Sequence, residues 1–319
     1  MWYPATQLML EHRLTKVVAL ATFVLLVIGG TVNPTGSSLA CPEPSLVCHG
    51  QLFPEMVGGV FYEHGHRLAA MTVGFLQIAL TILLFKRGHR KLALLLLLMV
   101  CAQGGLGAIT VKYKLPWYVS TAHLLLAMSY FATLIYTAFL TRPAPSVVEI
   151  STHERHRTEL GDARKWILIA AGTVLIQVLL GALVRHHGAA MVCLGMPTCT
   201  MATADAGGLW WPDTGVQHLH MIHRGFGVIT GLVTTIAAVQ IYRAAKSWAA
   251  LRLLALLAPV LVIAQIVLGI ATVMTMRSVP VAVGHFAGAA SLWALWMSAY
   301  LMTRSRSKAS TPSVIGEPV

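Results

Sequence analysis

The sequence predicts an all-α integral membrane protein, with eight transmembrane helices arranged as two pseudo-symmetric four-helix bundles. Three observations predict it. Of the 319 residues, 56% are hydrophobic and 11% charged, whereas ordinary soluble domains carry about 25% charged residues. Eight stretches are long enough to cross a bilayer, which takes about 20 apolar residues each. The second half of the chain also repeats motifs of the first half in the same order.

The eight stretches are residues 14–32, 64–86, 91–112, 117–141, 165–185, 218–243, 250–275 and 280–303. The connection between the first two, residues 33–63, holds no Lys or Arg. Most of the 23 basic residues fall on the opposite side, among them Lys86, Arg87, Arg90, Lys91 and Arg142. Lys112, Lys114, Arg185 and Arg277 share the side of the first connection. Basic residues stay preferentially in the cytoplasm, so both termini are expected there, in a multi-pass protein of the cell membrane. The net charge of +12 is then a signal of topology, and a nucleic-acid partner is not expected. "SSLAC" at 37–41 resembles a lipoprotein cleavage site, but "TVNPTGSS" separates it from the apolar run. A signal peptide has its apolar region against the cleavage site, so the first helix is expected to be retained.

The repeat shows in four collinear matches. "GGTVNPTGSSLACPEPSLVC" pairs with "GALVRHHGAAMVCLGMPTC", and "HGHRLAAMTVGF" with "HMIHRGFGVITG". "AQGGLGAITV" pairs with "AQIVLGIATV", and "AHLLLA" with "GHFAGA". Each half has an even number of helices, so both halves share one orientation and their pseudo-twofold axis follows the membrane normal. The expected units are residues 1–141 and 164–303 as bundles, and 142–163 as a polar cytoplasmic hinge with Pro143 and Pro145. Residues 304–319 are expected to be a disordered cytoplasmic tail, anchored to lipid by its charge.

His66, His123, His223 and His285 each lie near the start of an even-numbered helix, and so in the outer leaflet. At about 1.5 Å per residue, His123 is expected roughly 10 Å beyond Pro116 and His285 roughly 7–8 Å beyond Pro280. An ionisable group at membrane depth is a functional candidate by default, although a single one can simply hydrogen-bond a neighbouring helix. Zinc takes three or four ligands, and each half offers two intramembrane histidines. A haem iron takes one or two axial ligands in an apolar slot. His66 with His123, and His223 with His285, are therefore candidate haem brackets. Gly104, Gly105, Gly107 and Gly269 suit either a flat macrocycle or close helix packing. Arg67 and Arg224 follow the first histidine of each pair; they are candidates for haem propionates, or for lipid phosphate.

Glu63 stands three residues before His66, on the same helix face, and the equivalent place in the second half is His220. One half therefore carries a carboxylate that can handle protons or stabilise developing charge, or that simply favours a helix N-terminus. His64 points away from His66 and is not expected to be a ligand. Cys41 with Cys48, and Cys193 with Cys199, lie in outer loops and suit two local disulfides or redox-active thiol pairs. Cys101 is expected to be a small packing residue.

These residues together resemble the haem A synthase family, over about residues 15–303. The resemblance rests on the four-plus-four helices, "EHGHR", the "HR" at 223–224 and the histidines opening the fourth and eighth helices. It implies oxidation of the haem O methyl group to a formyl group by successive hydroxylations. It implies a substrate haem O site at His66 and His123 with Glu63 as the catalytic residue, and a resident haem B with its iron on His223 and His285. Haem O synthase and an electron donor are implied partners. Two alternatives come from the residues: a dihaem b-type electron-transfer protein linked to quinol, and a repeat-built transporter. The first commonly stacks its haems near opposite faces; the second would put polar residues and broken helices at the midplane.

Overall fold

The fold was obtained as a computed structural model that describes residues 5–143, 147–200 and 210–304. The described residues form nine α-helices: α1 (Ala5–Val32), α2 (Gly58–Lys86), α3 (Arg90–Lys112), α4 (Trp117–Leu140), α5 (Val147–Leu160), α6 (Ala163–His186), α7 (Gly215–Ala244), α8 (Ala249–Met274) and α9 (Val279–Met302). All but α5 are long and apolar enough to cross a membrane. In that solvent a backbone has to satisfy its own hydrogen bonds, and a continuous helix does so.

Packing reproduces the repeat. In the first half α1 packs on α2, α2 on α3, α3 on α4 and α4 back on α1. In the second half α6 packs on α7, α7 on α8, α8 on α9 and α9 back on α6. Helices α2 and α4 therefore lie across one diagonal of a closed bundle, as do α7 and α9. The halves meet through α4 with α9, flanked by α1 with α9 and α4 with α6, the pattern that a twofold axis beside α4 and α9 generates. One apolar core crosses this joint, joining Leu26, Met128 and Phe131 to Val174, Trp293 and Trp296. The Trp293 indole donates to the Met128 carbonyl across it (3.2 Å).

Three helices begin at least three residues earlier than the sequence predicts, α1 among them, which starts at Ala5 and not at 14. Helix α2 starts at Gly58, not at 64, and α7 at Gly215, not at 218. His66 and His223 are thus each eight residues into their helices, while His123 and His285 are each six residues into theirs. At about 1.5 Å per residue these depths are roughly 12 and 9 Å, a closer match than the sequence alone suggests. The polar connection 142–163 contains α5, which the apolar pattern does not reveal. It docks on the second half: the Ser247 hydroxyl donates to Glu159 (2.6 Å), and His156 stacks on Trp248. That hydroxyl holds the Glu159 carboxyl below its ordinary range. The expected tail lies outside the described residues, apart from Arg304.

Between lipid-exposed helices there is little hydrophobic drive, so packing and interhelical hydrogen bonds carry association. In the first bundle one such network is fully buried. Gln77 of α2 donates to Thr81 (3.0 Å) and accepts from the Tyr130 hydroxyl of α4 (2.7 Å). Tyr130→Phe leaves the Gln77 oxygen unsatisfied, and is expected to lower stability by about 0.6–1.7 kcal/mol. Denaturant titration in detergent checks this; an unchanged midpoint would show that the hydroxyl adds nothing.

Candidate haem-binding sites

Each of the four histidines rests on a glycine of the preceding helix. A methyl group built on Gly29 would stand 2.9 Å from His66 Cε1, and one on Gly181 would stand 3.1 Å from His223 Cε1. The corresponding distances are 3.2 Å for Gly269 and His285, and 3.6 Å for Gly107 and His123. Contacts near 3 Å exclude a side chain unless the ring moves. Gly29 and Gly181 are repeat mates, and so are Gly107 and Gly269. The histidine-bearing helices thus occupy one diagonal of each bundle and the glycine-bearing helices the other. A ring seated on bare backbone is fixed in direction without any polar partner. The Nδ1 atoms of His66, His123 and His285 are buried with no hydrogen-bond partner.

A glutamine stands one turn before three of these glycines: Gln103, Gln177 and Gln265. Gln103 donates to the His123 carbonyl (3.0 Å). Gln177 donates to the His223 carbonyl (3.0 Å) and lies 3.2 Å from His223 Nδ1. Outer partners of this kind fix a ligating ring. The fourth position is Leu25, so His66 has no counterpart of Gln177. Of the other glycines raised by the sequence, Gly104 and Gly105 are exposed, and a side chain there would meet nothing within 4 Å.

A cavity of about 420 Å³ lies in the second bundle and is bordered on one side by Gly30, Asn33, Pro34 and Leu124 of the first half; its volume is within the range of about 300–1,000 Å³ typical of small-molecule and cofactor sites. His220, His223 and His285 line it, with Arg185, Arg224 and Arg277. The rings of His223 and His285 face each other with centroids 6.5 Å apart and planes at 88°. Two metal–nitrogen bonds of about 2 Å each, plus the two half-rings, account for that separation. Among the described residues the cluster of potential ligands is Cys41, Cys48 and His64, in which the two cysteines form a disulfide. No three-ligand centre therefore forms around the intramembrane histidines. A paired-imidazole site in a mainly apolar cavity fits a haem and does not fit a structural zinc. The first half brings His66 and His123 near enough for their charges to interact.

The outer loops are tied down over these sites. Cys41–Cys48 and Cys193–Cys199 are both disulfides. Arg67 Nη1 donates to the carbonyls of Glu43 and Val47, and Nη2 to that of Cys41. Arg224 donates to the carbonyls of Cys193, Gly195 and Thr198. Both arginines, expected near propionates, here direct their Nη hydrogens to loop carbonyls. Glu63 is buried between the two systems. Its Oε1 accepts from Arg67 (2.6 Å) and its Oε2 from the Cys41 amide (2.8 Å). His64 donates to the Leu52 carbonyl (3.1 Å), turned to the loop as its position implies. Cys101 is exposed, which corrects the expectation of a packing role: it lies on an outward face of α3. In the third outer loop Trp211 stacks on His218, while residues 201–209 lie outside the described part.

Sequence reasoning missed Gln177, the seats at Gly29 and Gly181, and the cavity-lining Arg185 and Arg277. The recurring Gln-x-x-x-Gly was the visible signal.

Comparison with known proteins agrees with this geometry. Heme A synthase of Shouchella clausii is 27% identical, over 82% of this chain and 86% of its own. Heme A synthase of Shewanella oneidensis is 27% identical over 88% and 92%, and that of Exiguobacterium sibiricum 30% identical over 68% and 72%. The model of the COX15-CtaA family, described as cytochrome oxidase assembly protein, matches residues 55–297. With most of the chain matched, including all four seated histidines, the protein belongs to the COX15-CtaA family.

Proposed function

We propose that this protein is a haem A synthase, which oxidises a methyl group of haem O to a formyl group and yields haem A for haem-copper oxidases. The observation that carries the reading is the pair of facing imidazoles, His223 and His285, repeated by His66 and His123 at matched depth. The conversion is a four-electron oxidation by two successive hydroxylations with loss of water; with dioxygen as the oxidant, each hydroxylation inserts one oxygen atom and takes two electrons and two protons, the electrons from a donor, to reduce the other atom to water, and haem O synthase is the natural supplier of the substrate. The electron-transfer alternative has no support in the family match, and the continuous helices do not favour the transporter.

The two sites take different roles. Haem B is assigned to His223 and His285, where it would supply one-electron redox chemistry. Gln177 holds His223 there, as suits a group that stays. His66 lacks that restraint, as suits a site where substrate enters and product leaves. His66 and His123 would bind haem O, placing its methyl group in a water-poor slot under the first disulfide loop. Glu63, one turn before His66 on α2, would handle a proton or stabilise developing positive charge at the reacting carbon. Arg67 fixes its orientation through Oε1. With both termini cytoplasmic, the sites lie towards the outer face of the cell membrane.

Co-expression with an enzyme that makes haem O tests the reading directly. Extracted pigment should contain haem A and its alcohol intermediate; haem B alone would favour electron transfer. His223→Ala and His285→Ala are each expected to remove the resident haem absorbance, and spectra unchanged in both would remove the assignment. Glu63→Ala should retain that absorbance and lower haem A output by about 100-fold or more, the scale of a lost acid–base group. Normal output from this variant would exclude a catalytic role.

A further inference from the structure

We infer that Arg185 and Arg277 form the carboxylate-binding end of the second-half cavity and hold the two propionates of the macrocycle bound there. This rests on the assignment of a haem to His223 and His285.

Both arginines line the same cavity as the two imidazoles. Arg185 ends α6, and Arg277 sits in the turn between α8 and α9, so they approach the slot from its outer rim. They are close enough for their charges to interact. Among the described residues the ion pairs are Arg67–Glu63, Arg87–Glu11, Arg155–Glu159 and Lys165–Asp162; none supplies an acid to either arginine. Arg185 Nε is buried without a partner. Arg185 Nη2 reaches only the carbonyls of Gly29 and Gly30, both at 3.5 Å, the limit of a hydrogen bond. Two guanidinium groups this close repel each other, and the burial of Arg185 costs it hydration. A ligand with two carboxylates removes both penalties at once, through paired N–H donors that match carboxylate geometry.

One further observation points the same way. Arg67 and Arg224, the arginines adjacent to ligands in sequence, direct their Nη donors to loop carbonyls, which leaves Arg185 and Arg277, among the described residues, as the cavity-lining arginines without an acid or a loop anchor. The repeat mate of Arg185 is Asn33 and that of Arg277 is Leu115. The first half therefore has no such pair, in keeping with a site that must release its occupant.

The test compares two probes on the full-length chain made without haem: iron protoporphyrin IX and its dimethyl ester, whose propionates carry no charge. The wild type should bind the diacid at least about tenfold more tightly, the scale of one charge-assisted hydrogen bond. Arg185→Gln and Arg277→Gln should each shrink that preference, and the double variant should abolish it. Arg185→Lys, which keeps the charge, should retain part of it. Each variant is checked for folding by gel filtration. Equal binding of diacid and diester by the wild type overturns the proposal without relying on any variant. Failure of both probes to give an absorbance shift would instead overturn the haem assignment itself. A preference unchanged in the double variant would place the propionates elsewhere.

Discussion

An imidazole inside a lipid-embedded bundle needs its direction fixed by something other than water, and everything else in this molecule follows from how that is done. Each ring lies against bare backbone, at Gly29, Gly107, Gly181 or Gly269. In water such a ring would be held by solvent and polar neighbours. In an apolar interior a polar partner is expensive to provide, and close packing on a helix without a side chain is the cheaper restraint. Seating a ring this way requires the glycine helix and the histidine helix to be neighbours in the bundle. That requirement places ligands on one diagonal and seats on the other, and it opens the centre between two facing imidazoles.

The outer loops serve the same end. A disulfide alone closes a short loop but leaves it free to swing. Arg67 and Arg224 convert each closed loop into a lid fastened to its histidine helix, by collecting loop carbonyls one residue beyond the ligand. Glu63 adds a carboxylate to the first of these knots, between Arg67 and the Cys41 amide. A charge buried there is stable only because its partners are themselves fixed. Loop position, carboxylate orientation and His66 helix are thus mechanically one unit.

Much of this was legible in the sequence. The spans, the duplication, the histidine pairs and the cysteine pairing depend on hydropathy, order and spacing, which a linear chain displays. The starts of α2 and α7 were placed too late because Gly58 and Gly215 precede several polar residues at the interface, where hydropathy falls before the helix ends. Helix α5 escaped because it is polar all round and gains its support from Ser247 and Trp248, far away in sequence. The propionate expectation for Arg67 and Arg224 followed adjacency to the histidines. Successive residues on an α-helix point about 100° apart; Arg67 and Arg224 turn their Nη donors to the outer loops, although Arg224 still borders the second cavity. The glycine seats and Gln177 act between helices, and no local pattern connects them to the rings they hold.

The differences between the halves are more informative than their likeness. Positions that seat a ring are glycine in both. Positions that decide how firmly a bound group is gripped differ: Leu25 against Gln177, Asn33 against Arg185, Leu115 against Arg277 and Glu63 against His220. In the first three the second half gains polar or charged holding capacity. In the fourth the first half gains a carboxylate, the only one of the eight side chains able to carry negative charge. Tight grip and turnover make opposite demands on a site, because energy that holds a ground state does not speed its conversion. Under the proposed assignment a duplicated bundle lets one copy meet each demand, and the side chains that differ between the halves are the ones that would separate the two.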